Sequence, residues 1–294
     1  MKKILVVAHD AGAAQLYASY FFYKKIKFDA ILTGPAKKVF DLYNFQFINF
    51  NKLKLKKIIT NYDFIFTSSG WQTNLEKNAF LLANRNNIKI ISFIDHWSNY
   101  KKRFLFKNKK ILPYQIWVNN NKALNLLKKE KNFFGNKIKL ITNYFKKYVK
   151  NKYKNIKIRY KKSKITKILF ICEPFIKKID GFSNQEIISS LIYFINTKIK
   201  KKIILNIRLH PSQKPKDVFF LKKINYKNIK IIISKEDDLI LDLARNNLIV
   251  GCNSFALVVS LWLNKRTYYF FTDLKKKSFL TNIKIKNFRN LKNI

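Results

Sequence analysis

Imidazole is scarce in this chain: His9, His96 and His210 are its histidines, and each follows a run of β-branched or aromatic residues. In open α/β sheets, ligands lie outside the carboxyl ends of the strands, so the turns that follow such runs are where chemistry is expected. Arg208-Leu209-His210-Pro211 is the strongest of them. An imidazole there can donate a hydrogen bond to a phosphate or sugar oxygen, and Pro211 fixes the turn that aims it. A second turn, Gly251-Cys252-Asn253-Ser254, reads as a strand end, a tight glycine turn and a helix start. Unpaired amides at a helix start attract anions, and the Ser254 hydroxyl can add to them. A simply capped helix would use the same residues.

Three further turns carry polar groups. Glu173, between Cys172 and Pro174, is placed to bind ribose or sugar hydroxyls. His9-Asp10-Ala11-Gly12-Ala13 has too few glycines for a dinucleotide fingerprint. Gly12 permits close approach of a ligand there, and Asp10 either caps a helix or orients an acceptor hydroxyl. The stretch Asp95-His96-Trp97 places a carboxylate and an imidazole beside a large aromatic ring. Such a group can deprotonate a sugar hydroxyl and stack on its ring, which makes Asp95 or His96 the candidate general base. The turn holding Ser69 and Trp71 is expected to face the same site. For this cluster the alternative is that Trp97 is core and Asp95 a cap. No acidic pair is placed for a divalent ion; Asp237-Asp238 reads as a helix start, so no metal is expected.

The elements that position these turns follow from periodicity. Strands are expected at 4–8, 30–33, 64–68, 88–94 and 115–118, with helices at 13–24, 74–84 and 120–129. The alternation resumes with strands at 168–172, 203–209, 229–233, 248–251 and 267–271 and a helix at 185–199. Strands alternating with helices imply parallel sheets covered by helices, hence an α/β protein of two doubly wound, Rossmann-like domains facing a cleft. The expected division is a first domain over 1–148, a linker over 149–164 and a second domain over 165–294. The run 146–164 supports that linker because it is rich in Lys, Tyr and Asn with no clear period. The basic stretch 275–294 is expected to be a helix returning to the first domain or a loose end.

Composition restricts the alternatives. The chain has 294 residues, 48% hydrophobic, enough for two cores. Its formal net charge is +45, carried almost wholly by lysine. Lys, Asn, Ile, Phe and Tyr share A/T-rich codons, so the excess is first a feature of composition. No module that reads nucleic acid is recognisable, and nucleic acid is not an expected partner. Cys172 and Cys252 lack zinc or redox spacing, which fits a reducing compartment. The N-terminal stretch is too short for a signal sequence, and the uncharged run 248–263 falls short of a bilayer crossing. The expected location is the cytoplasm, with peripheral contact to an anionic inner membrane face as an added expectation.

The tandem plan, Arg-Leu-His-Pro at 208–211 and the Gly-x-Asn-Ser turn at 251–254 together resemble the glycosyltransferase B superfamily. Within it the chain looks like bacterial capsule and lipopolysaccharide enzymes with a His-Pro motif, among them sialyl- and polysialyltransferases and polyol-phosphate transferases. That resemblance implies contact of His210 and Ser254 with the phosphate of a nucleotide donor. The sialyltransferase acidic motif is absent and the later turn has one Ser, so the donor stays open among UDP-, GDP- and CDP-linked species. The expectation is a metal-independent transferase without a cofactor, moving a sugar or polyol phosphate to a polysaccharide or lipid-linked acceptor. Arg208, His210, Pro211, Glu173, Gly251, Asn253 and Ser254 would hold the donor, and Asp10, Gly12, Ser69, Trp71 and Trp97 the acceptor. His210 would also act in catalysis with Asp95 or His96. The alternatives are a nucleotide-sugar 2-epimerase and a non-catalytic basic protein of the membrane surface.

Overall fold

The computed structural model describes residues 2–68, 73–94, 100–106, 109–135, 137–156, 165–173, 182–211, 213–275, 278 and 285–291. The chain divides into two compact units, Met1–Lys147 and Tyr148–Ile294.

In the first unit the chain runs β1 (Ile4–Ala8), α1 (Ala11–Lys24), β2 (Asp29–Leu32), α2 (Pro35–Asp41), α3 (Leu55–Ile58), β3 (Phe64–Ser68), α4 (Leu75–Arg85) and β4 (Lys89–Phe93). A small antiparallel pair, β5 (Leu105–Phe106) and β6 (Lys109–Lys110), precedes β7 (Gln115–Val118), α5 (Asn121–Lys128), α6 (Lys131–Phe134) and β8 (Ile138–Leu140). Among the described residues the main sheet has the order β2-β1-β3-β4-β7-β8, every pair parallel. Chain order reverses between β1 and β3, which makes that boundary the switch point where a parallel sheet opens a crevice. Leu5, Val7, Ile31, Ile65 and Ile116 are buried in one core cluster, and the alternate positions Val6, Ala8, Ala30 and Phe66 are buried too, so both faces are covered, as continuous apolar runs require. Tyr17 of α1 ties two strand ends together: its hydroxyl donates to the Thr67 carbonyl and accepts from the Phe93 N–H at 2.8 Å.

α7 (Tyr144–Asn155) comes next, and the division between the units falls inside it. Residues 149–155 of the expected linker are therefore helical. Phe145 and Val149, four residues apart and both buried, supply the apolar stripe that the surrounding lysines conceal. Residues 157–164 lie outside the described residues.

The second unit runs β9 (Thr166–Ile171), α8 (Asn184–Lys198), β10 (Ile203–Arg208), β11 (Ile229–Ile233), α9 (Leu239–Arg245), β12 (Leu248–Gly251), α10 (Phe255–Trp262), β13 (Arg266–Tyr269) and β14 (Lys286–Asn287). Its sheet is again parallel, in the order β11-β10-β9-β12-β13-β14, with the switch point between β9 and β12. Helix starts are chemically defined. Ser183 and Glu186 form a reciprocal capping box on α8, and Asp238 caps α9 while pairing with Lys152 at 2.6 Å. Of the C-terminal stretch 275–294, the described residues are 275, 278 and 285–291. β14 extends the second sheet, because Phe288 is buried beside Phe194 and Tyr268, and the Arg289 guanidinium lies 4.4 Å from the Phe270 ring centre. Among the described residues no helix is long and apolar enough to cross a membrane.

Candidate functional site

In the second unit three turns leave the carboxyl ends of adjacent strands: the one beginning at 209–211 after β10, 172–173 after β9, and 252–254 after β12. Two strand spacings, about 10 Å, separate the first from the last, with Glu173 between them. His210, Glu173, Asn253 and Ser254 are thus gathered at one edge of one sheet.

The His210 turn is held from two sides. Its backbone N–H donates to Gln213 Oε1 at 2.7 Å, and the Gln213 N–H returns a bond to the His210 carbonyl at 2.8 Å. Gln213 is buried, and its Nε2 has no hydrogen-bond partner among the described residues, which leaves a donor in the His210 turn. Burial pushes the His210 imidazole below its ordinary value, so at neutral pH the ring is uncharged and acts as a neutral donor or acceptor. Pro211 is exposed in the turn.

Arg208 is turned away from solvent into the protein. Its guanidinium pairs with Asp242 and donates to the carbonyls of Glu236 and Asp237 at 2.7 and 2.8 Å. Ser234 donates to the same carboxylate at 2.7 Å. Arg208 therefore clamps the β11–α9 connection against the strand that carries His210.

A Cβ on Gly251 would stand 3.2 Å from the Ile171 carbonyl oxygen, tighter than an ordinary contact, so a side chain there would require a small shift. Ser254 caps α10 by accepting from the Ala256 N–H at 3.3 Å. The amides expected to be open to an anion are not open. Glu173 Oε1 accepts from the Asn253 N–H at 2.8 Å, and the Ser254 amide also bonds this carboxylate. A carboxylate of the protein itself thus sits at the positive end of α10. Burial nonetheless raises the Glu173 carboxyl above the usual range, with the two amide bonds pulling it back down. Ser278 donates to Asn253 Oδ1 at 2.8 Å and fixes the same turn from the other side.

Cys172 and Cys252 flank Glu173 and are buried; desolvation pushes Cys172 up to about 12 and Cys252 well above its ordinary value. Neither is a nucleophile at neutral pH. Among the described residues no group of three His, Cys, Asp or Glu side chains could hold a metal ion.

In the first unit the turn after β1 faces its own switch point. The His9 N–H donates to Glu76 Oε1 at 3.1 Å, and His9 Nδ1 shares a 2.8 Å hydrogen bond with Thr33 Oγ1. Gly34 has φ +52°, and a Cβ on it would come within 2.5 Å of the His9 ring, so only glycine fits. Asp10 occupies the N-cap position of α1 without a side-chain bond to the first amides, and Gly12 lies exposed on the first turn. The expected Ser69, Trp71, Asp95, His96 and Trp97 lie outside the described residues. Tyr100, just beyond them, has a half-buried phenol pushed up to about 12 by desolvation, and its hydroxyl has no partner among the described residues.

Sequence reasoning missed Gln213 and Glu76. Gln213 was detectable as a polar residue three positions after His210, the spacing of a local cap. Glu76 meets His9 across 67 residues and left no local signal.

No protein-family model matches the chain, and a search of curated proteins finds no match. Solved structures do resemble it. A complex of MnaA from S. aureus with UDP is similar at a TM-score of 0.66 and 15% identity, over 92% of this chain and 80% of that one. The UDP-GlcNAc 2-epimerase of Methanocaldococcus jannaschii, solved with UDP-GlcNAc and UDP, gives 0.61 and 16%, over 98% and 89%. MurG of Acinetobacter baumannii gives 0.51 and 10%, over 98% and 85%. At these identities the likeness establishes the fold: the chain has the α/β architecture of two Rossmann-like units that characterises the glycosyltransferase B type.

Proposed function

We propose that the second unit binds a nucleotide-activated sugar and that the protein transfers the sugar to a surface-polysaccharide or lipopolysaccharide acceptor. The observation that carries this reading is the alignment of His210, Glu173 and the Asn253–Ser254 turn on three adjacent strand ends flanking the β9/β12 switch point. His210 and the Ser254 hydroxyl donate to the donor phosphate. Gln213 Nε2 is a further donor at this end of the sheet. Glu173 keeps the α10 turn in shape and accepts from ribose or sugar hydroxyls. Arg208 and Pro211 act on His210 through the loop that they hold rather than by touching the donor.

In the transfer step an acceptor hydroxyl oxygen forms a bond to the anomeric carbon, and the bond from that carbon to the phosphate oxygen breaks. The nucleotide leaves with the electron pair, stabilised by the His210 hydrogen bond, and the acceptor proton passes to Asp95 or His96. Asp10, Gly12, Ser69, Trp71 and Trp97 are the residues assigned to acceptor binding in this reading. The scheme uses no metal or cofactor. A donor carrying a polyol phosphate would be held by the same phosphate contacts.

A 2-epimerase is the second reading, supported by the epimerase and MnaA structures, which have higher TM-scores than MurG. Product analysis separates the two. Incubation with UDP-GlcNAc alone yields the 2-epimer from an epimerase, whereas a transferase leaves that sugar's configuration unchanged and releases nucleotide faster when a glycan acceptor is added. Calorimetric titration with UDP, GDP, CMP and CDP tests the shared premise: binding of at least one is expected, and binding of none overturns both readings.

A further inference from the structure

One edge of the first unit carries a surface that a nucleotide site does not explain. Residues 45–50 run along the outer side of β2: the Ala30 N–H donates to the Ile48 carbonyl at 2.9 Å, and the Phe50 N–H donates to the Ala30 carbonyl at 2.8 Å. Phe45 and Phe47 turn inward against Phe28, at ring-centre distances of 5.2 and 5.3 Å. The alternation of an extended segment then turns Ile48 outward, and it is 59% exposed. Asn51 next accepts from the Leu53 N–H at 3.0 Å and starts a tight helical turn. Leu55 and Ile59 are drawn into the core by that turn, which leaves Leu53 80% exposed. Lys52, Lys54, Lys56 and Lys57 stand exposed around it. Elsewhere on this unit Phe22 of α1 and Leu42 at the end of α2 are also exposed, and Phe22 touches Tyr43.

A single exposed leucine is ordinary; protruding apolar side chains within a ring of lysines are the composition of an interfacial anchor. We propose that this edge docks on an anionic phospholipid bilayer, with Leu53 and Ile48 entering the boundary between headgroups and acyl chains and Lys52, Lys54, Lys56 and Lys57 meeting lipid phosphates. A soluble polyanion would engage the lysines and leave Leu53 in water, so the apolar tips favour lipid. This surface stands independently of the nucleotide-sugar reading.

Its test uses the burial of both native thiols, which makes Leu53→Cys the one accessible cysteine for a polarity-sensitive dye. On vesicles of phosphatidylglycerol and phosphatidylcholine the label at position 53 is expected to shift to the blue. The same dye on Tyr193→Cys, an exposed position of α8 in the second unit, is expected not to shift. Because the whole chain carries +45, charge is tested by matched variants. Replacing Lys52, Lys54 and Lys56 with Gln is expected to weaken vesicle binding about fivefold per lysine, about a hundredfold together. The same change at Lys200, Lys201 and Lys202 is expected to cost far less. Absence of vesicle binding, equal losses in the two triple variants, or a label at 53 that stays in water on bound protein would each overturn the proposal.

Discussion

Removing the carboxylate that clamps Arg208 is the perturbation whose size follows most directly from the structure. Asp242→Ala deletes the ion pair with Arg208 and the hydrogen bonds from Ser234. The guanidinium stays largely enclosed, with the Glu236 and Asp237 carbonyls as its remaining acceptors. Breaking a buried pair by removing one partner costs about 3–5 kcal/mol, because the other charge is left buried. The two surviving carbonyl bonds place this case near the lower end, about 3 kcal/mol. For a unit of roughly 150 residues, 1 kcal/mol moves the midpoint by about 2–4 °C, so a fall of about 6–12 °C is expected. Scanning calorimetry measures it, and hydrogen exchange on peptides covering 203–213 and 234–245 reports whether the β11–α9 connection loosens first. The double variant Arg208→Met/Asp242→Leu, which leaves no charge unpaired, is expected to lose less than the single one. A midpoint within about 1 °C of the parent for Asp242→Ala, on the scale of that same conversion, would refute the clamp.

Further expectations follow from individual contacts. Glu173→Gln keeps an oxygen for the Asn253 amide and removes a carboxyl whose folded-state pKa is raised; in the parent that group's stabilisation is full below its unfolded value near 4.3 and fades as pH rises through the folded value. Thermal melts across pH 4–8 should therefore show Glu173→Gln gaining on the parent as pH rises, and parallel curves would count against an ionising buried Glu173. Gly34→Ala places a methyl group on the His9 ring at a positive φ and is expected to cost about 1–3 kcal/mol in urea unfolding, against a few tenths at an unstrained site. Cys172 and Cys252 should resist Ellman's reagent in the native protein and react once it is unfolded; rapid native labelling would contradict their burial.

How much of this was legible beforehand depended on whether the signal was local. Strands such as Ile4–Ala8 and Leu248–Gly251 are buried on both faces, so their unbroken apolar runs announce them. β8 was missed because it spans three residues and is largely exposed, leaving no apolar run to read. α7 was missed because its apolar stripe rests on Phe145 and Val149 amid lysines. The β14 pairing in the tail was not legible because β14 is two residues long. At the site, the His210 turn could be read from residue types alone. What Glu173 does could not, since its partner Asn253 is 80 residues away and becomes a neighbour only because β9 and β12 lie side by side. Arg208 likewise looked ligand-facing until Asp242, 34 residues on, was seen to take its guanidinium.

The central claim, a nucleotide phosphate on the His210 imidazole, is tested most directly by calorimetric titration of His210→Ala and His210→Asn with the nucleotide that the parent binds best. A hydrogen bond to a charged group is worth about 1.5–3 kcal/mol, so His210→Ala is expected to weaken binding by about 10- to 150-fold. Because burial keeps the ring neutral, His210→Asn, which retains a neutral donor, is expected to recover part of that loss. Affinity unchanged in His210→Ala would contradict the account.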